Sequence, residues 1–178
     1  KRLNNNIKTD ICIIGGGITG LSAGYELAKE KMNVIILEKD KIGEKTTGNT
    51  TGKITSQHGL FYKYLIESKG IEFAKKYLMA NEEAIKNIKE IILKENIECD
   101  FKNQDSYVYT KKEEKIEKIK EEIEALKTIG FDSEFISKNE LQFKALAAIK
   151  FKNQAQFNIM KYLIGLANCI ENNNGKIF

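Results

Sequence analysis

The chain has 178 residues, 42% hydrophobic and 30% charged, the balance of a globular protein of one ordinary domain or somewhat more. Its net charge of +4 comes from lysines interleaved with glutamates, so nucleic-acid binding has little support. No apolar run approaches the length of a membrane-spanning helix, no secretory core precedes the first strand, and three widely separated cysteines without metal or redox spacing fit core or incidental thiols in a reducing cytoplasm.

Residues 1–6 read as a frayed polar terminus. Residues 9–14 form a buried strand pattern, with Cys12 inside it, that ends at Ile14 and runs into Gly15-Gly16-Gly17-Ile18-Thr19-Gly20. A helix pattern follows over 18–31, with Ile18, Leu21, Tyr25 and Ala28 at helical spacing, and then a second strand, Val34-Ile35-Ile36-Leu37, ending in Glu38. Strand, G-x-G-x-x-G turn, helix and acid-ended strand together make a dinucleotide-binding fingerprint. Gly15 permits the tight turn, Gly17 lets a pyrophosphate approach the backbone, and Gly20 lets the helix pack closely on the strand. The free N–H groups and positive dipole end of the helix favour the anion. Glu38 stands 18 positions after Gly20, near the spacing of an acid that accepts from ribose hydroxyls, and its charge disfavours NADP. The motif by itself leaves FAD and NAD open.

A cluster of small and hydroxyl residues follows, Thr46-Thr47-Gly48-Asn49-Thr50-Thr51-Gly52-Lys53. It reads equally as a ligand-approaching loop and as a solvated one. A short helix is expected over 61–69. A long one over 72–96 keeps Phe73, Tyr77, Ala84, Ile88, Ile91 and Ile92 near helical spacing. Residues 99–101 and 106–110 read as a strand pair around a polar turn at 102–105. The charged segment 111–129 carries an apolar stripe of Ile116, Ile119, Ile123 and Leu126, which suits a surface helix on a sheet, stopped by Gly130. A strand is expected at 133–136, a capping box at Ser137 to Glu140, a strand at 145–151, and a helix over 157–171. Lys176-Ile177-Phe178 then reads as the start of a further strand, so the parallel sheet is expected to continue and the chain to be the N-terminal portion of a longer protein.

The run from Asp10 through Gly20 to Ala23, the strand end Ile36-Leu37-Glu38-Lys39, and Gly43 followed by residues 47–51 resemble the FAD-dependent oxidoreductases of the D-amino-acid-oxidase-like (DAO) type, to which glycine oxidase and sarcosine oxidase belong. Residues 51–59 and 151–157 are similar to a bacterial subgroup that often carries a C-terminal Rieske [2Fe–2S] domain. The resemblance implies FAD and an oxidoreductase that takes hydride from a carbon beside the nitrogen of an amine or amino acid. It implies a pyrophosphate cradle at Ile14, Gly15, Gly17, Ile18, Thr19 and Gly20, with Glu38 on the adenosine ribose and Lys39 beside it. Thr46, Thr47, Gly48, Asn49, Thr50 and Thr51 would run along the pyrophosphate and ribityl chain. Gly52, Lys53, Ile54 and Thr55 would approach the isoalloxazine ring, where a lysine can stabilise negative charge. Asn158-Ile159 stand where related sequences commonly place His-Pro, and His58 matches no covalent flavin link, so no catalytic residue is assigned.

The expected architecture is α/β: a Rossmann-like FAD-binding core with an incomplete parallel sheet and an inserted α+β subdomain. Residues 1–59 form the β-α-β unit and flavin-contacting loop, 60–155 the inserted part of a substrate domain, and 156–178 the return helix and strand. The expected partners are a small amine or amino-acid substrate and an iron–sulfur domain further along the protein; no metal is expected within these residues. A cofactor-binding module without activity and an NAD-dependent dehydrogenase domain are the alternatives. The Thr/Gly cluster argues against the second, since an NAD domain typically continues directly into another strand–helix unit.

Overall fold

The computed structural model describes residues 2–44, 48, 50–137 and 144–178. The chain divides into two units. One comprises Lys1–Lys53, Lys89–Phe101 and Phe157–Phe178; the other comprises Ile54–Ile88 and Lys102–Gln156. Residues 54–59 therefore go with the second unit, not with the β-α-β unit, and 89–101 return to the first from within the expected insertion.

The first unit is built on a parallel sheet of β1 (Ile11–Ile14), β2 (Val34–Leu37) and β7 (Lys176–Ile177), in the order β1-β2-β7. Ile11 lies opposite Val34, Ile14 opposite Leu37, and Ile36 opposite Ile177. The central strand β2 buries Val34, Ile35 and Ile36, as a parallel strand covered on both faces must. Helix α1 (Ile18–Lys29) buries Leu21, Gly24, Tyr25 and Ala28, while Ile18 is only half-buried. Helix α5 (Ile159–Asn172) buries Tyr162, Leu163, Leu166 and Ile170 beside it. Each fully buried Leu or Ile contributes about 1.5–3 kcal/mol. Helix α1 packs closely on β2 at Gly24, where an added Cβ would lie 2.6 Å from Ile36 Cδ1. Glu95 ties the helices together, since its carboxylate accepts from Tyr25 OH at 2.7 Å and from Cys169 Sγ at 3.6 Å. The expected burial of Cys12 is wrong. Among the described residues β1 is an edge strand, and its Cys12 and Ile14 lie exposed.

The second unit centres on β6 (Ala147–Gln156), with β4 (Lys102–Thr110) and β5 (Glu134–Ser137) antiparallel to it and the short β3 (Lys53–Ile54) completing the four-stranded sheet. The expected strand pair around a turn at 102–105 is instead one strand. β4 runs straight through those polar residues, with a register shift between Gln104 and Ser106, because its partner is β6 and not residues 99–101. Helices α2 (Tyr62–Lys69), the first part of α3 (Ile71–Lys94) and α4 (Ile116–Thr128) cover the sheet. Their core joins Tyr62, Leu65, Ala74, Leu78, Ile119, Ile123 and Leu126 to Ile149 and Phe151. On α3 the buried stripe is Ala74, Leu78, Ile85 and Ile92; Phe73 and Ala84 of the expected stripe are exposed. The fully buried Glu122 caps α2 across the core: its carboxylate accepts from the backbone N–H groups of Phe61 (2.6 Å), Tyr62 (2.7 Å) and Lys63 (3.0 Å). Ser137 ends β5, and residues 138–140 of the expected capping box lie outside the described residues.

Candidate cofactor site

The chain leaves β1 through Gly15, whose φ of +109° is a conformation L side chains rarely adopt, and whose N–H donates to Leu37 O at 2.8 Å. Gly17 is the N-cap of α1, and the first helical bond runs from Leu21 N–H to Gly17 O at 3.0 Å. The first N–H groups of the helix thus have no intrahelical acceptor. No side chain caps them and no acid stands in the first turn. Helix α5 differs, since there the Asn158 side chain accepts from Lys161 N–H at 3.2 Å. Gly20 faces back onto the turn: an added Cβ would lie 2.0 Å from Gly15 O.

Glu38 follows β2, anchored through its N–H to Phe178 O at 2.8 Å. Its carboxylate accepts from Gly16 N–H at 2.6 Å and from Asp40 N–H at 3.0 Å. The Asp40 amide first, and the Gly16 amide next, hold its pKa below the usual carboxylate range against the opposing effect of burial. Gly16 O in turn accepts from Gly43 N–H at 3.1 Å, so both polar groups of Gly16 are engaged. Gly16 is the residue that sequence reasoning missed. The unbroken Gly15-Gly16-Gly17 run was its one visible signal, because the standard motif assigns no role to the second position. Beside Glu38, at the C-terminal ends of β2 and β7, lies a cavity of about 970 Å³ lined in part by Lys39, Ile42, Met160, Ile177 and Phe178. Open parallel sheets bind their ligands at such strand ends.

The expected residues Gly15, Gly17, Ile18, Thr19 and Gly20 are gathered at this turn, with Glu38 and an exposed Lys39 at the end of the neighbouring strand. Ile14 is 87% exposed. Gly48 packs on Gly43 O, and Thr46, Thr47 and Asn49 lie outside the described residues. Thr50, Thr51 and Lys53 are exposed. Gly52 is buried with φ +69°, and its carbonyl accepts from Phe157 N–H at 3.0 Å. Thr55 falls in the second unit, where its hydroxyl accepts from Gln57 N–H at 2.9 Å. His58 engages Tyr77 OH through Nδ1 at 2.9 Å, a local aromatic contact.

Glycine turn, open helix end and acid-ended strand define a Rossmann-like α/β unit. A family model, DAO, described as FAD dependent oxidoreductase, matches residues 10–178, and the chain belongs to that family. FAD is the family's cofactor, which decides between the two dinucleotides the motif left open. Among curated relatives, YhfW of Bacillus subtilis (strain 168), whose name describes a Rieske 2Fe-2S iron-sulfur protein, is 36% identical over 176 residues, 99% of this chain and 35% of the relative. Gamma-glutamylputrescine oxidoreductase of Escherichia coli (strain K12) is 24% identical over 182 residues, 99% of this chain and 42% of the relative. The chain thus spans well under half the length of these two relatives. The solved L-amino acid deaminase from Proteus vulgaris shares the fold at a TM-score of 0.75 and 17% identity, covering 100% of this chain and 41% of that one. No helix among the described residues is long and apolar enough to cross a membrane.

Proposed function

We propose that this chain supplies the FAD site of an oxidoreductase acting on an amine or amino acid. The observation that carries the site is the α1 N-terminus, left without a side-chain cap or a first-turn acid behind the Gly15–Gly20 turn. Such a helix end fits a pyrophosphate, with Ile14, Gly15, Gly17, Ile18, Thr19 and Gly20 around it. Glu38 is the ribose ligand: its carboxylate, oriented by the Gly16 and Asp40 amides, is an acceptor at neutral pH. Lys39 and the cavity beyond it hold the adenosine end. Gly48, Thr50 and Thr51 follow the pyrophosphate and ribityl chain, and Gly52, Lys53 and Thr55 meet the flavin ring.

Bound FAD supplies an acceptor for a hydride from a carbon bearing nitrogen. The substrate class is supported by the name of the gamma-glutamylputrescine relative. A Rieske-type iron–sulfur group as electron partner is supported by the name of YhfW. A cytoplasmic setting is supported by three free cysteines, one of them exposed.

The test is an absorption spectrum of purified protein before and after incubation with FAD, followed by gel filtration. Flavin bands retained with the protein are expected. A colourless protein that takes up no FAD, yet is folded by circular dichroism, refutes the site.

A further inference from the structure

The segment that leaves Gly52 enters the second unit with two consecutive polar residues, Ser56 and Gln57, that are 0% and 1% exposed. Ser56 is held at every polar atom. Its N–H donates to Gln154 Oε1 at 2.7 Å, its C=O accepts from Tyr62 OH at 2.6 Å, and its hydroxyl donates to Glu82 Oε1. Gln154, 1% exposed, closes the ring by donating from Nε2 to the same Glu82 oxygen at 3.1 Å and to Lys152 O at 3.0 Å. Gln57 is held separately, its Oε1 accepting from Ser106 Oγ at 2.8 Å. Partners thus come from α2, α3, β4 and β6 onto one dipeptide.

Stability alone does not call for this arrangement. Replacing both partners of a buried hydrogen bond by apolar groups of the same shape is nearly neutral. What a fully satisfied buried network adds is a single geometry, because any displacement leaves a donor or acceptor unpaired in a low dielectric. Ser56 directly follows Thr55, so the geometry imposed on it is imposed on the end of the segment 52–55.

We propose that Glu82 and Gln154 are positioning residues which, through Ser56, hold the backbone of residues 52–57 in the one conformation that meets the flavin ring. This rests on the assignment of that segment to the flavin in the preceding subsection. Neither residue touches the cofactor in this reading; each acts through Ser56.

The test uses hydrogen exchange on the FAD-free protein and FAD titration on the same preparations. Gln154→Leu and Glu82→Gln are each expected to speed exchange of the amides at 53–57 about tenfold or more, with α4 unchanged, and to weaken FAD binding about tenfold, the factor for one lost hydrogen bond. The exchanged pair Glu82→Gln with Gln154→Glu again matches one amide to one carboxylate, and is expected to restore both readouts to within about threefold of wild type, as rescue of a geometry requires. Ser56→Ala, which deletes only the hydroxyl, keeps the test open if Gln154→Leu does not fold, with a threefold effect on the same amides. Unchanged exchange at 53–57, or a loss spread evenly over the unit with FAD affinity unaltered, overturns the proposal. A wild type that takes up no FAD while exchange responds as expected refutes the flavin assignment and leaves the clamp on the segment standing.

Discussion

Gly20→Ala sets two known effects against each other. Gly20 lies in the first turn of α1, where alanine gains about 1 kcal/mol in helix propensity. The added Cβ, however, starts 2.0 Å from Gly15 O and 3.3 Å from Ile13 Cγ2. Cβ contacts stay beyond 3.0 Å, so an opening of at least 3.0 − 2.0 = 1.0 Å is required. No rotamer supplies it, because the obstructing atom is backbone. Overpacking costs about 1–3 kcal/mol, and the upper part of that range applies where main chain must move. Net destabilisation is therefore about 1–2 kcal/mol, or about 2–8 °C in melting temperature for a chain of this size. The shift also displaces the N–H groups proposed to face the pyrophosphate. Losing one charge-assisted bond, worth about 1.5–3 kcal/mol, weakens FAD binding at least tenfold. A thermal scan and a flavin-fluorescence titration on one preparation read both quantities. A variant that melts at or above wild type and binds FAD within twofold would show that helix propensity wins and that the close approach at Gly20 has no role.

Glu122→Ala removes the acceptor of three backbone N–H groups at a fully buried site and is expected to cost about 3–5 kcal/mol, read by denaturant unfolding; a loss under about 1 kcal/mol would mean that water takes over the cap. Glu38 has a folded pKa below its unfolded value, so its stabilising contribution is present above about pH 4.5 and is lost as pH falls through the lower folded pKa. Melting curves of wild type and Glu38→Gln should therefore converge as pH falls below about 4.5, and a gap that stays constant down to acid unfolding would contradict the Gly16 and Asp40 bonds. Lys53→Met is expected to lower the flavin midpoint potential by about 30 mV or more, the two-electron equivalent of about 1.4 kcal/mol; an unchanged potential removes Lys53 from the ring. Burial pushes the Cys169 thiol up to about 11, aided by Glu95, and raises that of Cys99. Maleimide at pH 7.5 should label the exposed Cys12 alone until denaturant is added, and two or more fast labels by mass spectrometry would contradict the burial of the other two.

The β-α-β fingerprint was legible because each of its signals is local. A strand, a glycine turn and an acid at fixed spacing all lie within the first 38 residues. Helix α4 was legible for the same reason: its stripe of Ile116, Ile119, Ile123 and Leu126 repeats at helical spacing within a single segment. What escaped depended on partners distant in sequence. The burial of Cys12 hinged on whether anything covers that face of β1, which its own alternation does not reveal. The polar stretch 102–105 looked like a turn because its pairing with β6 lies about fifty residues away. On α3 apolar residues stand side by side at Phe73-Ala74, Tyr77-Leu78 and Ala84-Ile85, so the stripe could be drawn one residue off, and only the core shared by Ala74 and Leu78 with Tyr62 and Ile119 settles it. Glu122 looked like one more surface glutamate on a charged helix, since nothing local distinguishes an acid that caps another helix. Gly16 hid behind its two better-known neighbours.

The first unit is assembled from three separate stretches of chain, and its third strand comes last. β7 begins at Lys176, 176 − 37 = 139 residues after β2 ends at Leu37. At synthesis rates of about 5–20 residues per second, β2 waits about 7–28 s for that neighbour. Through that interval Val34, Ile35 and Ile36 form an apolar strand with one open edge, the kind of segment that pairs with other chains when left exposed. The second unit, 54–88 and 102–156, is made within that interval. β2 thus precedes the second unit and its neighbour β7 follows it. During production, aggregation should therefore respond to growth temperature and chaperone supply more steeply than the stability of the finished fold suggests.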